Sequence, residues 1–398
     1  MTSPSSDPLA GLILAGFTGL KAHDEEVQAL ARLGVGGYIL FGRNVESPEQ
    51  VHGLLAGIRK TVGDRAVLYA VDQEGGRVAR LRAPLTVWPP MARLGERNNT
   101  EEAQLVGQAL AAEIHALGFN LVFAPVLDVR FGGTTDAIGD RSLGSTPERV
   151  GRLGGALAQG MQSAGILACA KHFPGHGHVT VDSHLELPVC ELSRDELLRD
   201  HVAPFAAAAQ EGVAAIMTAH VRYPDVDPKN PATFSSSWLS DLLRRDLGYS
   251  GLILSDDLEM GAVIGADPTD SPEERAQRVA AASVRAVRAG VDGLLICKDL
   301  RAVKASIAAL RSEADRDSTF LARCIQSLAR LEEAARLRPP RPVELGVLRQ
   351  SIGLPAHRSL AARVRGAEIT SQLDPTHAHH RARGTDLPEP PADEPRES

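Results

Sequence analysis

Short, nearly continuous apolar runs recur along this chain, each followed by a stretch in which apolar residues return every three or four positions. The runs are LILAG (12–16), GGYILF (36–41), AVLYAVD (66–72), NLVFAPVLDV (120–129), ILACAKHF (166–173), AAIMTAH (214–220), GLILSDD (251–257) and DGLLIC (292–297). Runs of this kind, without polar alternation, mark parallel strands buried on both faces. The stretches between them predict helices, among them DEEVQALARL (24–33), SPEQVHGLLAGIRK (47–60), TEEAQLVGQALAAEIHALG (100–118), TPERVGRLGGALAQGMQSAG (146–165), SRDELLRDHVAPFAAAAQEG (193–212), SSWLSDLLRRDLG (236–248) and SPEERAQRVAAASVRAVRAG (271–290). Most open at Ser, Thr or Asp, whose side chains accept from free N–H groups of the first turn, and several close at Gly, which tolerates a left-handed backbone.

Eight such strand and helix units over some 300 residues predict an α/β fold, a (β/α)8 barrel of the TIM type, with a doubly wound sheet as the competitor. The position of the polar residues separates the two. A barrel gathers reactive groups at the C-terminal ends of many strands, whereas a nucleotide-binding sheet places a glycine-rich loop after its first strand. Here Arg43 and Asn44, Asp72, Asp128, Lys171 and His172, His220, and Asp256 and Asp257 all stand at or just after strand ends. No GxGxxG or Walker loop opens a helix, which favours the barrel.

Composition changes near residue 340. The expected division is a barrel over 1–340, a helical extension over 341–366 containing LPAHRSLAARVRG, and a solvated tail over 367–398 rich in Pro and charge. The rest of the composition narrows the function. A net charge of -7 over 398 residues argues against a general nucleic-acid or membrane surface. The cysteines, Cys169, Cys190, Cys297 and Cys324, are widely spaced and contain no CxxC pair, so reduced thiols in a cytoplasmic protein are expected. The apolar run near the N-terminus lacks a basic segment before it and reads as a first strand, not a secretory leader. No apolar segment approaches membrane-spanning length, and no long exposed apolar helix calls for a second subunit, so a monomer is expected.

The densest chemistry lies in KHFPGHGHVTVDSH (171–184), with four histidines and one aspartate. A metal site is one reading. His172 and His176 have the i, i+4 spacing that puts two imidazoles on one helix face, but Pro174, Gly175 and Gly177 oppose a helix there, and no HExxH glutamate accompanies them. Acid/base chemistry is the other. Asp182 and His184, separated by one residue, can face the same side of an extended or turn segment, and a carboxylate on one ring nitrogen fixes the tautomer and raises the basicity of the other. With Asp256 aimed into the same mouth, a proton carrier and a carboxylate nucleophile are both present. Each residue also has a structural reading: loop histidines are often only hydrogen bonded, Asp256 or Asp257 can cap the segment that follows, and Lys171 can pair with a buried carboxylate.

AVDQEGGRVARLR (70–82), GFNLVFAPVLDV (118–129), AIGDRSLG (137–144), KHFPGHGHVTVDSH and GLILSDDLEM (251–260) together resemble the motifs of glycoside hydrolase family 3, in its β-N-acetylhexosaminidase branch, over about residues 10 to 335. The resemblance implies that Asp256 is the nucleophile, that His184 is the general acid/base with Asp182 as its dyad partner on a mobile loop, and that Asp72, Arg80, Arg141, Lys171 and His172 bind the non-reducing N-acetylglucosamine. Asp128, His176 and His220 are supporting candidates, and His178 has no assigned role. Leu143 stands where relatives often carry Phe, and the roughly 60 residues after the barrel are too few for the second α/β domain of some members.

The expected function is a cofactor-free and metal-free retaining exo-β-N-acetylglucosaminidase of the cytoplasm, acting on muropeptides that end in 1,6-anhydro-N-acetylmuramic acid, in peptidoglycan recycling. A neutral histidine does not repel an anionic acceptor, so a phosphorylase on the same site is an alternative. A non-catalytic sugar-binding barrel is the rival from another class, and it predicts a damaged catalytic trio, whereas Asp182, His184 and Asp256 are all present.

Overall fold

The computed structural model describes residues 7–131, 137–176, 178–179, 187–265 and 269–366. In chain order the strands are β1 (Ile13–Gly16), β2 (Gly37–Leu40), β3 (Leu68–Val71), a short antiparallel pair β4 (Gln73–Gly75) and β5 (Val78–Ala79), then β6 (Leu121–Val122), β7 (Leu167–Phe173), β8 (Ala215–Thr218), β9 (Leu252–Asp257) and β10 (Gly293–Ile296). All but β4 and β5 close into a parallel barrel in sequence order, with β10 returning to β1 through Ile13 opposite Leu294. Each barrel strand lies in one of the eight apolar runs, and the fold is a (β/α)8 barrel.

The helix starts follow the capping logic of the sequence. Ser47 accepts from the Gln50 N–H at 3.1 Å, Asn99 from Glu102 at 3.0 Å, and Ser271 shares a reciprocal capping box with Glu274 ahead of Pro272–Ala289. Two long helices beyond those named above, Leu300–Arg316 and Ser318–Leu337, complete the outer ring. The helix over 194–210 carries a widened π-type turn at Leu198–Val202. Pro204 follows it and has no N–H to offer the carbonyl four residues back. Among the described residues no helix is long and apolar enough to cross a membrane.

One apolar run is shorter as a strand than its pattern predicts. NLVFAPVLDV pairs regularly only at Leu121–Val122, and Val126 rejoins β7 through an isolated bridge to Lys171. Pro125 cannot donate to a ladder, so the segment leaves regular pairing while remaining buried. The C-terminal helix Pro355–Arg365 docks beside the loop that follows β5: His357 Nδ1 meets Glu113 Oε1 at 2.7 Å, and Arg358 and Arg365 donate to the carbonyls of Pro84 and Val87 at 3.2 and 2.9 Å.

Candidate active site

The C-terminal ends of β3 and β7 meet in a buried ion network. Asp72 follows β3 directly and is bound by Lys171 Nζ at 2.8 Å and Arg80 Nη2 at 3.1 Å. Lys171, near the end of β7, also reaches Glu74 Oε1 at 2.6 Å. Glu74 in turn takes a two-pronged pair from Arg141, Nε and Nη2 each at 2.8 Å. The tight β4–β5 turn makes this possible, because it returns the chain so that Arg80 faces Asp72, with Gln73 accepting from the N–H groups of Arg80 and Leu81 at 3.0 Å each.

Two carboxylates and three cations thus share one low-dielectric corner. Burial pushes the Asp72 carboxyl up, but Lys171 and Arg80 outweigh it and hold the group well below the usual carboxylate range. Glu74 is likewise pushed up by burial and drawn down, to about 2, by Arg141 and Lys171. Burial favours neutral Lys171, yet Asp72 and Glu74 keep it charged, with its pKa raised. The corner is therefore fully ionised with one excess positive charge, suited to hydroxyl and carbonyl oxygens of a neutral polar ligand.

A second buried cluster adjoins it. Asp128 is fully buried and accepts from His172 Nδ1 at 2.7 Å and from the His176 backbone N–H at 2.6 Å. Burial pushes Asp128 up, and His172 and His176 bring it down to about 2. An ionised carboxylate only accepts, so Nδ1 of His172 carries a proton. Burial drives His176 down to about 4, so its ring is neutral near pH 7.

Asp256, the residue before last in β9, is the third part of the mouth. Its Oδ1 accepts from the Asp257 N–H at 2.7 Å, and none of the described residues donates to Oδ2. Burial pushes this carboxyl up, but His172, His220, the Asp257 N–H and Lys171 prevail, so its pKa is lowered and it is a carboxylate at neutral pH. The capping reading fails for both aspartates: the short helix Gly261–Ile264 starts at Met260, and Asp257 Oδ1 instead accepts from the Glu259 N–H at 3.0 Å in a local turn.

Asp182 and His184 lie outside the described residues, as does Gly177. The chain on either side of them is tied to one short segment after β8. Tyr223 donates its hydroxyl to the Gly175 carbonyl at 2.6 Å, and the Arg222 backbone exchanges hydrogen bonds with Pro188 and Cys190 at 2.9 Å each. Gly175 sits at φ +140, and a Cβ there would come within 2.7 Å of His201 Nδ1. His178, without a role in the sequence reading, lies 2.9 Å through Nδ1 from His201 Nε2 and packs on Phe131, with ring centroids 3.8 Å apart.

Of the sugar-binding candidates, Asp72, Arg80, Arg141 and Lys171 are brought into one network, and His172 stands next to it on Asp128. Leu143 is fully buried in the core. Sequence reasoning missed Glu74, the carboxylate that joins Lys171 to Arg141. Its signal was its place two residues after Asp72 in an extended segment, where alternate side chains share a side. Among the described residues no group of three or more His, Cys, Asp or Glu side chains is arranged to hold a metal ion.

Comparison with known proteins gives the family. Residues 7–333 match the glycosyl hydrolase family 3 N-terminal domain. A beta-hexosaminidase of Neisseria gonorrhoeae is 42% identical over 294 residues, covering 72% of this chain and 78% of its own. A family 3 beta-N-acetylglucosaminidase from Paenibacillus sp. superposes with a TM-score of 0.82 at 35% identity, over 91% of this chain and 68% of its own. NagZ from Neisseria gonorrhoeae, solved in complex with N-trifluoroacetyl-D-glucosamine, superposes with a TM-score of 0.69 at 35% identity, over 89% of this chain and 97% of its own.

Proposed function

The chain belongs to glycosyl hydrolase family 3 and is a β-N-acetylhexosaminidase, and from that premise we propose that it is a retaining exo-β-N-acetylglucosaminidase whose nucleophile is Asp256. The single observation that carries this reading is the ionised Asp256 at the end of β9, with Oδ2 unbonded by the described residues, beside the Lys171 and His172 end of β7. Asp72, Arg80, Arg141, Lys171 and His172 hold the terminal sugar. Arg and Lys donate to its hydroxyls and acetamido carbonyl, and Asp72 accepts from two hydroxyls. Glu74 holds Lys171 and Arg141 in place.

In the first step Asp256 forms a bond to the anomeric carbon as the bond to the leaving oxygen breaks, and His184, oriented by Asp182, gives that oxygen its proton. In the second, His184 takes a proton from water, which attacks the same carbon and releases Asp256, so two inversions give net retention. The natural substrate is a muropeptide with N-acetylglucosamine on 1,6-anhydro-N-acetylmuramic acid, handled in the cytoplasm during peptidoglycan recycling. The N-trifluoroacetyl-glucosamine bound to the gonococcal neighbour supports the glycosyl half of this assignment.

The test is hydrolysis of an aryl β-N-acetylglucosaminide by wild type, Asp256→Ala and His184→Ala, with the anomeric product followed by NMR. Retention, and loss of turnover in both variants, is expected. An inverted product or an active Asp256→Ala enzyme overturns the mechanism. Sugar 1-phosphate formed on adding phosphate identifies a phosphorylase, and loss of turnover on chelation, restored by zinc, identifies a metal enzyme.

A further inference from the structure

The N–H group that holds Asp256 belongs to Asp257, so the aim of the nucleophile depends on what fixes Asp257. The barrel ladder does not do it alone. Gly293 stands opposite Leu254 but Leu295 stands opposite Asp257, a register shift between β10 and β9 at this point.

Side chains take over where the ladder is interrupted. His220 Nε2 donates to the Asp257 carbonyl at 3.0 Å, and its Nδ1 is anchored 2.8 Å from Thr233 Oγ1. Lys298, just past β10, places Nζ 3.3 Å from Asp257 Oδ2, while Oδ1 takes the Glu259 N–H. The Lys298 backbone N–H donates to Glu259 Oε2, so Lys298 and Glu259 clasp the Asp257 turn from both directions. From the β2 side Arg43 donates to the carbonyls of Phe17 and Cys297, and its charge acts on both carboxylates of this turn. His220 and Lys298 approach Asp257 from opposite sides, one through the backbone and one through the side chain.

We propose that Lys298 and His220 are positioning residues for the nucleophile, acting through Asp257 to set the direction of the N–H on Asp256 Oδ1 and so the line of attack of the carboxylate. The inference rests on the assignment of Asp256 as nucleophile. Neither residue needs to touch the sugar. Their loss therefore slows formation of the glycosyl-enzyme without weakening binding, because small misplacements of a reacting group are costly in rate.

The experiment is steady-state and burst kinetics with a dinitrophenyl β-N-acetylglucosaminide on the full chain, for Lys298→Met, Lys298→Arg and Asp256→Ala. Lys298→Met is expected to lower the burst rate and kcat/KM together by about tenfold, with the substrate concentration giving half-maximal burst rate within about twofold of wild type. Lys298→Arg, which keeps the cation, restores most of the rate. Burst amplitude counts folded enzyme, so partial unfolding of a variant lowers the amplitude and leaves the rate per site readable. An unchanged burst rate in Lys298→Met, or a matching loss in Lys298→Arg, overturns the proposal. Asp256→Ala separates this from failure of the underlying assignment: if azide restores turnover there with an α-glycosyl azide product, the nucleophile stands whatever Lys298→Met does. If Asp256→Ala turns over as wild type, the nucleophile assignment falls and the positioning proposal falls with it.

Discussion

Asp128 holds His172 by its Nδ1 at 2.7 Å and the backbone of His176 at 2.6 Å, so one fully buried carboxylate fixes both the β7 end and the start of the loop beyond it. In Asp128→Asn the amide NH2 must face either the His176 N–H or the His172 side, where both the backbone N–H and Nδ1 donate, so at least one buried hydrogen bond is lost. The expected cost is about 1–3 kcal/mol of stability, read by calorimetry, with KM for an aryl N-acetylglucosaminide raised as His172 loses its orientation. The pH dependence has a definite sign. Asp128 is depressed from 3.8 to about 2, so its stabilisation is present above pH 3.8 and is lost as pH falls toward 2. The gap in melting temperature between variant and wild type narrows over that range.

Lys171 is the hinge of the ion network, since it contacts both Asp72 and Glu74. Replacing it with Met leaves two buried carboxylates short of a cation, and breaking a buried pair from one side costs about 3–5 kcal/mol. Adding Glu74→Gln to Lys171→Met should recover part of that loss by removing one stranded charge. Denaturant melts of the two single variants and the double give the coupling. A double variant no more stable than Lys171→Met would show that Glu74 is satisfied by Arg141 alone.

The barrel was legible in the sequence because burial on both faces makes each parallel strand a nearly unbroken apolar run, and the polar residues ending those runs are the ones the barrel turns into its mouth. Lys171 and Asp72 were legible for that reason. Glu74 was not, because its importance comes from Arg141, which is distant in sequence and reaches it only through tertiary folding. His178 had no readable role for the same reason: its partners Phe131 and His201 come from separate segments. The shortened β6 was hidden because Pro125 sits in a run that stays buried and still accepts from β7 through the Ala124 and Pro125 carbonyls, so the apolar pattern continues where the regular ladder is interrupted. Asp182 and His184 remain sequence-based assignments, resting on motif and spacing.

Glu259 gives a pH effect of opposite sign to that of Asp128. Burial first, and then Asp257, push its carboxyl up to about 8 from an ordinary 4.5. The folded chain therefore holds this proton more tightly than the unfolded chain does. Its contribution is greatest below pH 4.5 and is lost as pH rises toward 8. Glu259→Gln cannot ionise, so its urea midpoint should fall less than that of wild type between pH 5 and 8. Parallel curves for the two proteins would show that Glu259 is ionised throughout.

The C-terminal extension should support the site without entering it. Glu113 is buried and bound by the Thr86 N–H at 2.8 Å, the Thr86 hydroxyl at 2.7 Å and His357 Nδ1 at 2.7 Å. Thr86 lies in the loop that follows β5, and the same loop is held by Arg358 at Pro84 and Arg365 at Val87. That loop begins only a few residues after Arg80, which binds Asp72. His357→Ala removes one of three partners from a buried carboxylate, for an expected loss of about 1–3 kcal/mol. Removing residues 341–398 takes all three tethers and should raise KM more than it lowers kcat, if Arg80 has the sugar-binding role proposed for it. Thermal melts and Michaelis kinetics on both variants check this. A truncated chain with wild-type KM would confine the extension to a role in stability.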